Sequence, residues 1–151
     1  MTSPARTPGQ RKLDALTRLE NDIDAWVATA DRGEATPYLV PLSFLWDGST
    51  FLIATPGTSQ TGRNLRDTGR LRLGIGATRD VVLVEGAAQA LAASEIPAEV
   101  GDAFAAKTGF DPRLTAAYVY FRIQPQRIQA WREENELEGR DLMRAGRWVV
   151  P

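Results

Sequence analysis

The sequence predicts a mainly β (α+β) fold, an antiparallel β-barrel carrying about three helices. Three observations carry that class. About seven or eight short apolar runs, rich in Val, Ile, Leu and aromatics, are separated by Gly, Pro and Asp turns. Asp47-Gly48, set between two apolar runs, is the strongest hairpin signal in the chain. The runs follow one another through short-range hairpins, which excludes a doubly wound parallel sheet, and no GxGxxG fingerprint lies between a strand and a helix. With 151 residues the chain suits one domain, here residues 11–151, preceded by a flexible tail over residues 1–10, where Pro4, Pro8 and Gly9 stand among small polar residues.

The elements follow in order. From Arg11, the residues Leu13, Leu16, Leu19, Ile23 and Trp26 recur at helical spacing and predict an amphipathic packing helix. Trp26 to Ala30 reads as a short strand entering a turn at Asp31-Arg32-Gly33. Pro37 to Trp46 is apolar on both faces and so needs cover on both sides. Pro41 inside it lacks a ladder donor, which places this strand at an edge or at a bulge. Thr50 to Thr55 pairs back through Asp47-Gly48. After Pro56-Gly57, one of Thr58, Ser59 or Thr61 caps a short helix that stops at Thr68-Gly69.

Arg70 to Gly76 alternates as a strand, with Leu71, Leu73 and Ile75 inward. Val81 to Leu91 is a longer strand. A second helix opens at Ser94-Glu95-Ile96-Pro97 with Ile96, Val100 and Phe104 as its buried line, and Asp111-Pro112 starts a short turn. Tyr118 to Ile123 and Arg127 to Trp131 read as two strands joined at Gln124-Pro125-Gln126. A charged stretch, Arg132 to Asp141, precedes Leu142-Met143-Arg144, an Ala145-Gly146 turn and a last strand from Arg147 to Val150.

Composition excludes several chemistries. The chain has no cysteine and no histidine, so disulfides, thiolate catalysis, thiolate metal sites, a Ser/His/Asp triad and a zinc hydrolase are all out of reach. If the protein is an enzyme, its reactive atoms belong to a bound cofactor, and no side chain is assigned as the essential acid or base. The net charge of −1 gives no general attraction to nucleic acid or anionic lipid. No run has the length of a membrane span and the start has no signal-peptide core, so a cytoplasmic setting is expected.

One stretch invites a ligand. Pro56 to Arg66 is rich in hydroxyls, begins a helix whose positive end faces outward, and carries Arg63 and Arg66 in its first turns. Between Ser59 and Arg79 lie Arg63, Arg66, Arg70, Arg72 and Arg79 against the single acid Asp67, a basic patch suited to phosphate. A solvated helix face is the alternative reading of those arginines. No aromatic is interleaved with them, which argues against single-stranded nucleic acid as the ligand.

The order Pro-Tyr-Leu-Val-Pro-Leu-Ser-Phe, Asp-Gly, Phe-Leu-Ile-Ala-Thr, Thr-Ser-Gln-Thr-Gly-Arg-Asn-Leu-Arg and Gly-Arg-Leu-Arg-Leu resembles the pyridoxamine 5'-phosphate oxidase-like split-barrel family, which includes FMN and deazaflavin-coenzyme oxidoreductases. The closing Ala-Trp-Arg and Gly-Arg-Asp-Leu resemble the family's C-terminal Trp and Arg segment. The likeness runs over most of the chain from about Trp26. It implies a split barrel, a homodimer with two cofactor sites at the subunit interface, and FMN, or alternatively a deazaflavin coenzyme, acting on a small organic substrate. By the same resemblance Val40, Pro41, Leu42 and Ser43, with Ala54 and Thr55, would line the isoalloxazine ring. Thr58, Ser59, Gln60, Thr61, Arg63 and Asn64 would hold the ribityl chain and phosphate. Trp131 and Arg140 would approach from the other subunit; a core tryptophan and a surface ion pair are the plain alternatives for these two. A non-catalytic flavin-binding module is the alternative to an oxidoreductase. The family commonly places a lysine in the phosphate loop, whereas this chain has Gln60, Thr61 and Gly62 there and its only lysines are Lys12 and Lys107. That departure argues against pyridoxamine phosphate oxidation itself.

Overall fold

The architecture is taken from a computed structural model that describes residues 3–151. Eight strands form one antiparallel sheet: β1 (Asp24–Ala30), β2 (Pro37–Trp46), β3 (Phe51–Pro56), β4 (Arg70–Ala77), β5 (Asp80–Leu91), β6 (Tyr118–Trp131), β7 (Asp141–Arg144) and β8 (Arg147–Trp148). Their order is β3-β2-β1-β4-β5-β6-β7-β8, and β3 also pairs with β6, which closes a six-stranded ring. The expected antiparallel barrel is therefore present, with three helices: α1 (Pro8–Asn21), α2 (Gln60–Thr68) and α3 (Ala98–Thr108).

Alternation fills the barrel. Val27, Phe44, Phe51, Ile53, Leu73, Ile75, Phe121 and Ile123 point inward and are almost wholly buried. The opposite face of β3 is buried as well, because Leu52 and Ala54 join Leu91, Ile96, Phe104 and Tyr120 in a second cluster under α3. A strand covered on both sides reads as a continuous apolar run, which is what Phe-Leu-Ile-Ala supplies.

Helix α1 starts earlier than its apolar stripe suggests. Thr7 caps it, accepting a hydrogen bond from the Gln10 N–H at 3.1 Å, and Pro8 occupies the first turn, where its missing N–H is harmless. The tail boundary drawn at residue 10 therefore moves: residues 8–10 are helical and Arg6 is anchored to Glu136, while Met1 and Thr2 lie outside the described residues. The buried face is Arg11, Ala15 and Leu19. Leu13 is 61% exposed, and Ile23 and Trp26 fall beyond the helix end at Asn21.

Three further boundaries differ from expectation. The β2–β3 connection is a loop in which Asp47 accepts hydrogen bonds from the Ser49 N–H at 2.8 Å and the Thr50 N–H at 2.6 Å, so β3 begins at Phe51. Residues 118–131 form one continuous strand, and Pro125 is absorbed by a bulge opposite Glu85 and Gly86. Gly86 is required there, since a Cβ would come within 2.5 Å of Ile123. The last strand is confined to Arg147–Trp148.

Two features of β2 prepare the site. It pairs with β1 along residues 37–43 but with β3 only through Phe44–Trp46, so its first seven residues form an edge. Its outward face is bare within one chain: Leu39 is 59% exposed, Pro41 is exposed, and Trp26, register partner of Pro41, is 54% exposed.

Candidate functional site

The turn from β3 into α2 is a closed hydrogen-bonded knot. Ser59 caps α2, its hydroxyl accepting from the Gly62 N–H at 3.0 Å and donating to the Pro56 carbonyl at 2.8 Å. Thr55 Oγ1 lies 3.0 Å from Ser59 Oγ, tying the strand end to the cap. A Cβ on Gly62 would stand 2.6 Å from the Pro56 carbonyl and 3.1 Å from that of Gly57, so only glycine lets the first helical turn sit against the incoming loop. Gly69 ends the helix in the left-handed region at φ 65°, its N–H donating to the Leu65 carbonyl.

A helix start leaves its leading amides without intrahelical partners. Ser59 satisfies Gly62, while among the described residues no acceptor is assigned to the N–H groups of Gln60 and Thr61. Arg63 folds back over this start, donating to the Thr58 carbonyl and, at 2.8 Å, to Gln60 Oε1. Arg66, on the same helix, brings its guanidinium beside Gly57 and Val119. Neither arginine has a carboxylate partner among the described residues. The wider basic patch divides: Arg72 pairs with Glu85 and Arg79 with Glu133, on β4 and at the far β4–β5 turn, leaving Arg63, Arg66 and Arg70 around α2.

Six of the expected cofactor residues, Thr55, Thr58, Ser59, Gln60, Arg63 and Asn64, thus belong to one network. They do not all face outward. Thr61 and Asn64 are buried, and Asn64 is engaged at both ends, its Nδ2 donating to Thr29 Oγ1 at 3.0 Å and its Oδ1 accepting from Gln60 at 2.8 Å. Asn64 is oriented into the protein, locking α2 to β1.

Beside the knot, a cleft of about 380 Å³ opens along the unpaired edge of β2. Pro41, Leu42 and Ser43 form one wall, Ala54 the floor, and Phe104, Phe110 and Tyr118 the apolar far side. Its polar corner is Asp24, which accepts a hydrogen bond from Ser43 Oγ at 2.7 Å. Val40 turns toward the barrel core instead, half-buried against it.

Trp131 and Arg140 lie together elsewhere, with the guanidinium 5.4 Å from the indole centroid. Strand β6 begins opposite Pro56 and ends at Trp131, so its 14 residues separate this pair from the knot by roughly 40 Å of strand. One chain does not bring the two groups together.

Sequence reasoning missed Thr29, Asp24, Arg66 and Tyr118. Register reveals the first two, since Asp24 pairs with Ser43 and β1 runs under α2; Arg66 was named with Arg63 in the basic patch but not placed among the cofactor residues. Tyr118 reaches the cleft because β6 closes against β3.

A closed six-stranded antiparallel barrel with two added strands and three helices is a split barrel. Residues 15–132 match the family model described as pyridoxamine 5'-phosphate oxidase, and the chain belongs to that family. No curated protein matches the sequence. Among solved structures, a FAD-binding protein from Mesorhizobium loti is similar with a TM-score of 0.62 at 19% identity, over 78% of this chain and 89% of the other. HupZ from Group A Streptococcus gives 0.61 at 22% identity over 80% and 94%. An F420 reductase gives 0.60 at 17% identity over 74% and 93%. At these identities the likeness concerns the fold.

Proposed function

We propose that the protein is a flavin-dependent oxidoreductase that works as a homodimer, binding FMN between the loop–helix knot of one copy and the Trp131–Arg140 pair of the other. The observation that carries this reading is the succession of two unlike surfaces along β3: an apolar cleft beside a free strand edge is lined by Ala54, and a few residues on stands a helix start with open amides and an arginine that has no carboxylate partner among the described residues. A flat ring with a phosphorylated tail needs those two surfaces side by side.

The residues fit the group. Pro41, Leu42, Ser43 and Ala54 offer the ring an apolar wall with a strand edge whose backbone is not committed to a neighbour. The amides of Gln60 and Thr61 and the guanidinium of Arg63 offer donors to a phosphate, with Arg63 leaving the Thr58 carbonyl to make them. A bound flavin supplies the hydride or electron transfer to a small organic substrate. The chain's own part is to bind, orient and exclude water, because Asp24 is the one carboxylate among the residues lining the cleft and it serves Ser43.

Dimerisation belongs to the same proposal. Trp26, Leu39 and Pro41 form an apolar outer face, and a second copy is the cover that such a strand needs. No helix among the described residues is long and apolar enough to cross a membrane. A cytoplasmic setting, with no membrane or nucleic-acid partner, completes the reading.

A deazaflavin coenzyme is the second reading, favoured by one feature. Thr61 and its neighbours leave the loop without a lysine, which weakens the case for a phosphate held mainly by charge. Titration with FMN and, separately, with a deazaflavin coenzyme tests both: saturable binding of one cofactor per chain at micromolar concentration is expected. Absence of binding for both would overturn the proposal. Turnover with reductants and artificial acceptors separates an oxidoreductase from a non-catalytic flavin-binding module.

A further inference from the structure

The segment after β6 is fastened from an unexpected direction. Glu136 is 2% exposed, and its carboxylate accepts four hydrogen bonds. Three come from Arg6: the backbone N–H at 2.8 Å, Nε at 2.9 Å and Nη2 at 2.7 Å. The fourth comes from the backbone N–H of Arg132, the residue after Trp131, at 2.8 Å.

Arg11 completes the cluster. It is 3% exposed, yet among the described residues it has no carboxylate partner. Its Nη1 donates to the carbonyl of Glu136 at 3.2 Å and to that of Gly139 at 2.9 Å, its Nη2 donates to that of Arg6 at 3.5 Å, and Nε has no partner. Gly139 has φ 71° and precedes Arg140. A buried guanidinium spent on carbonyls alone is a costly way to hold a loop, and here it fixes the residue next to Arg140. The Ala130 N–H donates to the Arg140 carbonyl at 3.1 Å, and Asn135 donates to the Ser3 carbonyl at 2.9 Å. Both ends of the segment from Trp131 to Arg140 are therefore set by residues near the start of the chain.

We infer that Arg6, Arg11 and Glu136 form a clamp that positions Trp131 and Arg140, and that these three residues set cofactor affinity without touching the cofactor. The inference rests on the reading that Trp131 and Arg140 close the cofactor site of a second copy. The clamp fixes the amide after Trp131 and the carbonyl before Arg140, so the stack of guanidinium on indole stands on a preset backbone. A segment ordered before binding loses less freedom when the cofactor arrives. In the folded protein the Arg6 hydrogen bond holds the Glu136 carboxyl down to about 2, so the clamp is charged near neutral pH.

Two readouts test it on the full-length chain: hydrogen exchange of the amides from Arg132 to Arg140, and the dissociation constant for FMN. Glu136→Gln should speed that exchange and raise the FMN dissociation constant by about tenfold, as the segment then has to be ordered at the expense of binding. Arg6→Lys, which keeps charge but loses the fork, should fall between wild type and Glu136→Gln on both readouts. It also serves if Glu136→Gln does not fold. Glu133→Gln, which breaks the outer pair with Arg79 on the same segment, should change neither. Unchanged exchange in the clamp variants, or faster exchange with unchanged FMN affinity, would overturn the inference. If the wild type binds no flavin, the reading of the site fails, and exchange alone decides whether the clamp exists.

Discussion

The two halves of the proposed site are held by opposite means. Apart from the Asn64 bond to Thr29, the knot at Thr55 to Asn64 is tied by contacts between residues three to five apart: Ser59 to Gly62, Gln60 to Asn64, Arg63 to Thr58. The Trp131–Arg140 segment is tied by contacts across 125 to 132 residues: Arg11 to Glu136, Arg6 to Glu136, Asn135 to Ser3. The first half carries its own scaffold in its local sequence. The second depends on the start of the chain, and a lesion far away in sequence can disturb it.

Breaking the knot should have the largest effect. Gly62→Ala places a Cβ 2.6 Å from the Pro56 carbonyl and 3.1 Å from that of Gly57, so the backbone itself has to shift. A loss of about 1–3 kcal/mol in urea unfolding, with FMN binding abolished, is expected. A fully stable variant would mean that the helix start is not pinned to the loop. Next in size, Arg63→Ala should weaken FMN by about tenfold while leaving the fold intact, as read by calorimetry, because Arg63 is the side chain that offers charge to the phosphate. Equal affinity would place the phosphate elsewhere.

Acid should separate the halves. The Glu136 carboxyl is lowered from 4.5 to about 2, first by the Arg6 side chain and then by the amides of Arg6 and Arg132, against the opposing effect of burial. A carboxyl depressed in the folded state stabilises fully above its ordinary value of 4.5, and that stabilisation is lost as pH falls toward about 2. Protection of the amides in residues 132–140, taken relative to their intrinsic exchange rate at each pH, should therefore fall across that window, and Glu136→Gln should remove the step. The smallest effect is expected at Arg79→Gln, whose exposed pair with Glu133 should leave the melting temperature unmoved.

The same contrast explains what could be read in advance. The barrel class followed from alternation and turn spacing, and the knot from a hydroxyl-rich turn at a helix start, because both are written over a few residues. The helix face was misjudged because Leu13 and Trp26 look like core at helical spacing, while Arg11 does not. Arg11 is buried only because Glu136 and Gly139 present carbonyls to it from more than a hundred residues away. Pro125 suggested a break between two strands, whereas the bulge opposite Gly86 accommodates it within one. The bare outer face of β2 could be seen only once Leu39 and Pro41 were found opposite Ala28 and Trp26 with nothing above them.

The central claim is that one copy supplies the knot and the other the Trp131–Arg140 pair. It is tested most directly by mixing two defective chains, one carrying Arg63→Ala and the other Trp131→Ala, and measuring FMN affinity. Each homodimer has two damaged sites. A mixed dimer has one site with both lesions and one with neither. Exchange of subunits should therefore restore a fraction of sites with wild-type affinity. If mixing restores none, the knot and the tryptophan do not meet across two copies.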